Sequence, residues 1–190
     1  MHRLFVALSP PPVVRERLLD LCDGIAAARW QDDDQLHLTV RFIGAVERQV
    51  AEDVADALAQ VHAPAPRVAL AGVGRFGNRG GDALWAGVSP HAALHHLHRK
   101  VDQACVRAGL DPERRAFLPH VTLARLPRSA AGDPAVERWI ADHAGLASAP
   151  WTLPHLVLYQ SHLGRAGAQY EAVARWPLAG TAPGDDGEWM

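Results

Sequence analysis

Two short copies of one pattern constrain this chain more than anything else in it. His37-Leu38-Thr39-Val40 and His120-Val121-Thr122-Leu123 both read His-x-Thr-x, one in each half of the sequence. Each lies in an alternating stretch, Leu36 to Phe42 and Val121 to Leu126. Residues i and i+2 of a strand share a face, so each copy projects an imidazole and a hydroxyl to one side. Leu38/Val40 and Val121/Leu123 face the other side, where a core can take them. Two copies in a duplicated fold bring two histidines and two threonines into one cleft. That set meets most needs of a metal-free chemistry on phosphodiesters, with imidazoles to move protons and hydroxyls to hold charged oxygens.

The composition, 48% apolar and 21% charged over 190 residues, suits one compact unit with a real core and argues against a disordered or fibrous chain. The net charge of −2 gives no global basic field, so affinity for a polyanion must come from a local patch. Lys100 is the only lysine; the other basic residues are arginines, which suit bidentate phosphate contacts. Cys22 and Cys105 fall in helical patterns and read as buried free thiols, not a disulfide framework or a zinc site. No apolar run approaches the roughly 20 residues of a membrane span. The apolar run at the N-terminus is too short for a signal peptide and meets Pro10-Pro11-Pro12, so a soluble cytoplasmic protein is expected.

In chain order, Leu4 to Leu8 reads as a strand. Val14, Leu18, Leu21 and Ile25 then read as one helix face, opened by the prolines. Asp32-Asp33-Asp34 reads as a solvated connector before the first motif strand, Leu36 to Ile43, which ends at Gly44. A second helix spans Val46 to Val61. A hairpin follows, Arg67 to Phe76 and Ala83 to Val88, with a Gly-rich tip that lacks the form of a nucleotide-binding P-loop. Ser89 and Pro90 suit the start of a third helix, which runs to about Ala108 with Gly109 behind it. Pro119 leads into the second motif strand, Asp133-Pro134 opens a short fourth helix to about His143, and Trp151 to Gln160 and Gln169 to Trp176 pair as the last strands. The order β-α-β-α-β-β-α-β-α-β-β splits into two similar halves. It predicts an α+β class: a duplicated two-lobed fold of mostly antiparallel sheets, helices outside and a central cleft. Residues 1–179 are expected to form one domain of two pseudo-symmetric lobes, and 180–190 a disordered tail.

The segments Arg3 to Leu8, Leu36 to Gly44, Leu118 to Arg125 and Leu158 to Gly164, with Tyr170-Glu171 behind them, resemble the two-histidine (2H) phosphoesterase superfamily. The branch in question is that of the bacterial RNA 2',3'-cyclic phosphodiesterases, also called 2'-5' RNA ligases. Gln35 departs from the Asn common there, and Ala116 and Leu118 replace a usual Pro and polar residue. The resemblance implies both histidines in a central groove and opening of RNA 2',3'-cyclic phosphate ends to 2'-phosphates. It makes His37 the proton donor to the departing 3'-oxygen and His120 the base that activates water, with no metal or other cofactor. Thr39 and Thr122 hold the non-bridging oxygens, and Arg125 is carried as a phosphate contact although strict alternation puts it on the strand face opposite His120. Arg41, on the His37 face by the same parity, and Phe42 and Phe76, which could stack a base, are the remaining cleft candidates. An unperturbed imidazole titrates near pH 6.5, so one neutral and one protonated histidine are expected to coexist near neutrality. The implied partner is an RNA end, with no membrane and no protein partner, on a monomer. A 5'-hydroxyl in place of water turns the same chemistry into 2'-5' ligation, and a non-catalytic RNA-end-binding module is the reading from another class. Of His91, His95, His96 and His98, the pairs 91/95 and 95/98 share helical faces, but an acidic partner of metalloprotease type is lacking, so the four read as a solvated helix face.

Overall fold

The computed structural model describes residues 1–78, 81–130, 132–164 and 167–179, with Asn78 described in its backbone only. The expected tail over 180–190 and the Arg79-Gly80 tip of the first hairpin lie outside the described residues. Nine strands and four α-helices are seen there: β1 (His2–Leu8), α1 (Pro12–Leu19), β2 (Arg29–Trp30), β3 (Leu38–Val46), α2 (Arg48–Ala59), β4 (Arg67–Asn78), β5 (Gly81–Ser89), α3 (Ala92–Arg107), β6 (His120–Leu126), α4 (Pro134–His143), β7 (Trp151–Thr152), β8 (His155–Gly164) and β9 (Gly167–Pro177). The strands run in the order β7-β4-β5-β6-β3-β1-β8-β9, with β2 added beside β6. All the strand pairs are antiparallel.

The order is symmetric about its middle. The two motif strands, β3 and β6, are innermost, and each is flanked by the strand that precedes its own helix, as β1-α1-β3 and β5-α3-β6. The lobes are not the two halves of the sequence, however. The last hairpin, β8-β9, returns to β1, with Leu4 opposite Gln160 and Ala7 opposite Val157.

β3 and β6 meet at a single residue pair, Leu38 opposite Val121. Those are the residues between the His and the Thr of each motif, and the antiparallel register aims His37 toward Thr122 and Thr39 toward His120. Beyond that pair the strands part. Each also carries a β-bulge at the same place. Val6 pairs with Arg41 and Ala7 with Thr39, which leaves Val40 as the extra residue. Leu84 pairs with Ala124 and Trp85 with Thr122, which leaves Leu123. A bulge shifts the alternation by one residue, so Val40 and Arg41 both turn away from the cleft, as do Leu123 and Ala124, and all four are buried.

The core lies on that other side. Leu4, Val6 and Leu8 of β1 face it together with Leu38, Val40, Val121 and Leu123. Helix α3 covers it with Leu94, Leu97, Val101, Ala104 and Cys105, spaced along one helical face, and α2 adds Val54 and Leu58. Helix α4 starts where the Asp133 carboxylate accepts from the Ala135 N–H at 2.9 Å.

Several expected boundaries move for local reasons. Helix α1 stops at Leu19, because the chain turns through Asp23 and Gly24, the latter at a left-handed φ of 86°. Leu21 and Ile25 therefore reach the core from a loop. Ser89 closes β5 instead of capping α3, which begins after His91. Gly109, with φ of 90°, follows the C-cap of α3 as expected. Within the acidic run, Asp33 accepts from Arg15 Nε at 2.9 Å and opens a 3-10 turn, Asp33–Gln35.

Arg41 was expected on the His37 face, and the bulge at Val40 turns it away. Its side chain is buried, with Nε 3.3 Å from Asp102 of α3 and Nη1 3.3 Å from Glu113 of the α3–β6 connector. Nη2 also donates to the Asp111 carbonyl. Arg41→Met leaves the largely covered Asp102 carboxylate without its cation and leaves Glu113 with Arg115 alone. It should cost about 3 kcal/mol in urea unfolding, whereas Arg48→Ala, which breaks an exposed pair with Glu52, should cost no more than about 0.5 kcal/mol. Equal costs would mean that Arg41 does not tie the connector to β3.

Candidate active site

A cleft of about 540 Å³ lies where β3 and β6 part. His37, Thr39, His120, Thr122, Arg125, Phe42 and Phe76 all line it. The bulge at Leu123 explains Arg125, which strict alternation puts on the face away from His120. Past the extra residue, Arg125 returns to the cleft side and is exposed. The same count along β3 makes Phe42 its pseudo-symmetric counterpart. One lobe thus offers a guanidinium where the other offers an aromatic ring.

Both imidazoles are anchored identically. The Nδ1–H of His37 donates to the Gln35 carbonyl two residues back at 2.7 Å. That of His120 donates to the Leu118 carbonyl, also two residues back, at 2.6 Å. A carbonyl only accepts, so Nδ1 carries the hydrogen in both rings and Nε2 becomes the atom that gains or loses a proton. Gln35 is itself fixed: its Oε1 accepts from the Asp32 N–H at 3.0 Å and its Nε2 donates to the Ala168 carbonyl of β9 at 2.6 Å.

Aromatic rings set the tilt of each imidazole. Tyr170 stands edge-on to His37, centroids 5.2 Å apart, with Phe5 at 4.9 Å. Phe76 stands nearly edge-on to His120 at 4.9 Å. Phe76 in turn stacks on Trp85, whose ring lies so close to Gly74 that a Cβ there would come within 2.3 Å of it. Phe5, Tyr170 and Arg115 are wall residues that motif reasoning missed. Phe5 and Tyr170 lie in the segments that carry the resemblance, without a role assigned there, and parity also marks Phe5, which alternates with the core-facing Leu4 and Val6.

Burial pushes the His37 imidazole down to about 4. Its bond to the Gln35 carbonyl opposes this, and the charges of His120 and Arg125 add to it. His120 is also lowered, first by burial and less by Arg125, against its bond to Leu118. In the free cleft His37 is therefore neutral at pH 7, unlike the mixed pair expected from unperturbed values. An anion between the rings would reverse the trend, because an opposite charge favours the protonated form.

A smaller cavity of about 240 Å³ opens beside the cleft, lined by Phe42, Phe76, Phe117, Leu118, His98 and other residues of the α3–β6 connector. Phe42 is 50% exposed, with the Arg115 guanidinium 5.6 Å from its ring centre. Arg115 is also the leading cause that holds Glu113 down to about 2. Among the described residues no group of three or more His, Cys, Asp or Glu is placed to hold a metal ion, and no helix is long and apolar enough to cross a membrane.

A family model described as the 2'-5' RNA ligase superfamily matches residues 10–165. The chain is 33% identical over 174 residues to an RNA 2',3'-cyclic phosphodiesterase of Geobacillus stearothermophilus. That match takes in 90% of this chain but only 54% of the relative, so the chain spans about half of that protein's length. It is 31% identical over 163 residues to an RNA 2',3'-cyclic phosphodiesterase of Aeropyrum pernix, with 83% of this chain and 92% of the relative covered. Among solved structures it is similar to Escherichia coli LigT complexed with 3'-AMP, at 25% identity and a TM-score of 0.77, over 94% of this chain and 98% of that one.

The lowered His37 gives a sign for stability. The unfolded imidazole binds its proton near pH 6.5 and the folded one only near 4. Between those values the unfolded state holds the extra proton, so stability falls as pH falls through that window. Urea unfolding of the wild type should lose roughly 3 kcal/mol more than His37→Gln between pH 7 and 4. Parallel pH profiles for the two proteins would contradict a part-buried His37 held neutral.

Proposed function

The chain belongs to the 2'-5' RNA ligase superfamily, and on that premise we propose that it opens 2',3'-cyclic phosphate ends of RNA to 2'-phosphomonoesters by proton exchange with His37 and His120. One observation carries the reading. Two imidazoles, each held through Nδ1 by the carbonyl two residues before it, line one cleft together with both motif threonines. The names of the relatives support the substrate class.

The cyclic phosphate enters as an anion, and its charge raises the pKa of the neutral His37. The ring takes a proton from solvent at Nε2. Water then attacks phosphorus while His120 Nε2 removes its proton. The P–O3' bond breaks, and the departing oxygen receives the proton from His37. The product is a 2'-phosphate beside a free 3'-hydroxyl, with His37 neutral and His120 protonated until solvent restores both. Thr39 and Thr122 donate O–H bonds to the non-bridging oxygens, and Arg125 offsets their charge. A 5'-hydroxyl in place of water forms a 2'-5' linkage by the same steps, so ligation is a second outcome of one site. Phe42, half exposed at the mouth of the side cavity, offers a stacking face for the terminal base. Phe76 has less to offer, being packed on Trp85 and His120.

The direct test incubates the protein, with EDTA present, with an RNA oligomer that ends in a 2',3'-cyclic phosphate. The wild type should yield the 2'-phosphate, and His37→Ala and His120→Ala should each be slower by about 10²–10⁴-fold. No turnover, or turnover indifferent to either histidine, rules the proposal out. Phe42→Ala should raise KM by about fivefold, the lower end of what a base stacked on an aromatic ring contributes, with kcat changed far less. An unchanged KM would remove Phe42 from the substrate contacts.

A further inference from the structure

Of the four histidines expected on a solvated face of α3, His98 is part-buried and holds a specific place. Its Nδ1–H donates to the Val40 carbonyl at 2.9 Å. Its ring lies parallel to that of Phe117, centroids 4.3 Å apart and planes 5° from each other. Val40 is the extra residue of the β3 bulge, directly after Thr39. Phe117 precedes by one residue the Leu118 whose carbonyl anchors His120.

This place follows from the split between the motif strands. They pair only at Leu38 and Val121, so past Leu38 the edge of β3 that faces β6, opposite the edge paired with β1, has no strand beside it among the described residues. The α3–β6 connector runs there instead, and His98 fills the gap between them. A bulge residue lies outside the regular ladder, and a buried carbonyl needs a donor; His98 supplies one to Val40. The same ring takes Phe117 against its face. One side chain of α3 thereby links the segment that carries Thr39 with the segment that carries His120, and it lines the side cavity that both share.

We infer that His98 is a positioning residue for the reaction: its hydrogen bond to the Val40 carbonyl, with its ring aligned by Phe117, fixes the first motif against the second. It touches no reacting atom. The inference rests on the hydrolysis proposed above.

Three substitutions separate the contributions. Asn places its Nδ2–H₂ where the imidazole has Nδ1–H, so His98→Asn keeps the donor. His98→Phe keeps a ring without the donor, and His98→Leu keeps neither. With an RNA 2',3'-cyclic phosphate as substrate, at a temperature where circular dichroism shows each protein folded, His98→Phe and His98→Leu should lose at least tenfold in kcat with KM within twofold. His98→Asn should recover to within about threefold of wild type. Unchanged kcat in the Phe and Leu variants, a change confined to KM, or an Asn variant as slow as Leu would each overturn the inference. NMR shifts of the Val40 carbonyl and the His120 imidazole, recorded in the same proteins, keep it apart from the proposed activity. If the wild type turns nothing over but both signals move in His98→Leu and return in His98→Asn, the hydrolase reading fails and the positioning role stands. If the wild type is active and neither signal moves in His98→Leu, the positioning role fails alone.

Discussion

The site depends on one antiparallel contact, Leu38 against Val121, between two strands that otherwise part. It brings the middle of each His-x-Thr-x copy to the same point, so the histidine of one faces the threonine of the other. A longer ladder would close the space between the strands. The bulges at Val40 and Leu123 complete the arrangement. Each adds one residue just after the threonine, which returns Phe42 and Arg125 to the cleft and sends Arg41 and Ala124 to the core side. Because the two insertions sit at the same step of the motif, Phe42 and Arg125 fall at matching places on the two walls.

Burial and anchoring act together on the imidazoles. The carbonyls of Gln35 and Leu118 hold Nδ1 of each ring, which leaves Nε2 as the working atom. Low solvation keeps both rings biased toward the neutral form. A neutral pair matches an anionic ligand well, since the ligand's own charge raises the proton affinity that the leaving oxygen later uses. The positions of the rings rest on supports that never enter the cleft. Arg41 ties β3 to α3 through Asp102 and to the α3–β6 connector through Asp111 and Glu113, and His98 joins the β3 bulge to Phe117.

The repeated tetrapeptide made the site legible in the sequence, because period-2 alternation assigns His and Thr to one face without knowledge of the fold. Helix α3 was readable for a similar reason: Leu94, Leu97, Val101 and Cys105 mark one helical face. Long-range pairing was not readable. Nothing local says that β8 and β9 join β1, so the chain looked like two sequential halves when its lobes are interleaved. The bulges were hidden too, since an inserted residue has no side-chain signature, so strict alternation puts Arg41 and Arg125 on the wrong faces, and only the resemblance carries Arg125 to the cleft. Helix α1 broke early because Asp23 and Gly24 favour a turn that outweighs the spacing of Leu21 and Ile25. His98 resembles its neighbours His95 and His96 in sequence, and only its bond to the Val40 carbonyl and its parallel stacking on Phe117, which His95 meets edge-on, distinguish it.

The most direct test of the account is a long-range ¹H–¹⁵N spectrum of the His37 and His120 rings at pH 7, free and with a nucleoside 2'-phosphate bound. The account predicts that both rings are neutral Nδ1–H tautomers in the free protein, and that the bound anion protonates Nε2 of His37 while both Nδ1–H bonds persist. An Nε2–H tautomer at either ring of the free protein, or rings that ignore the bound phosphate, would contradict it.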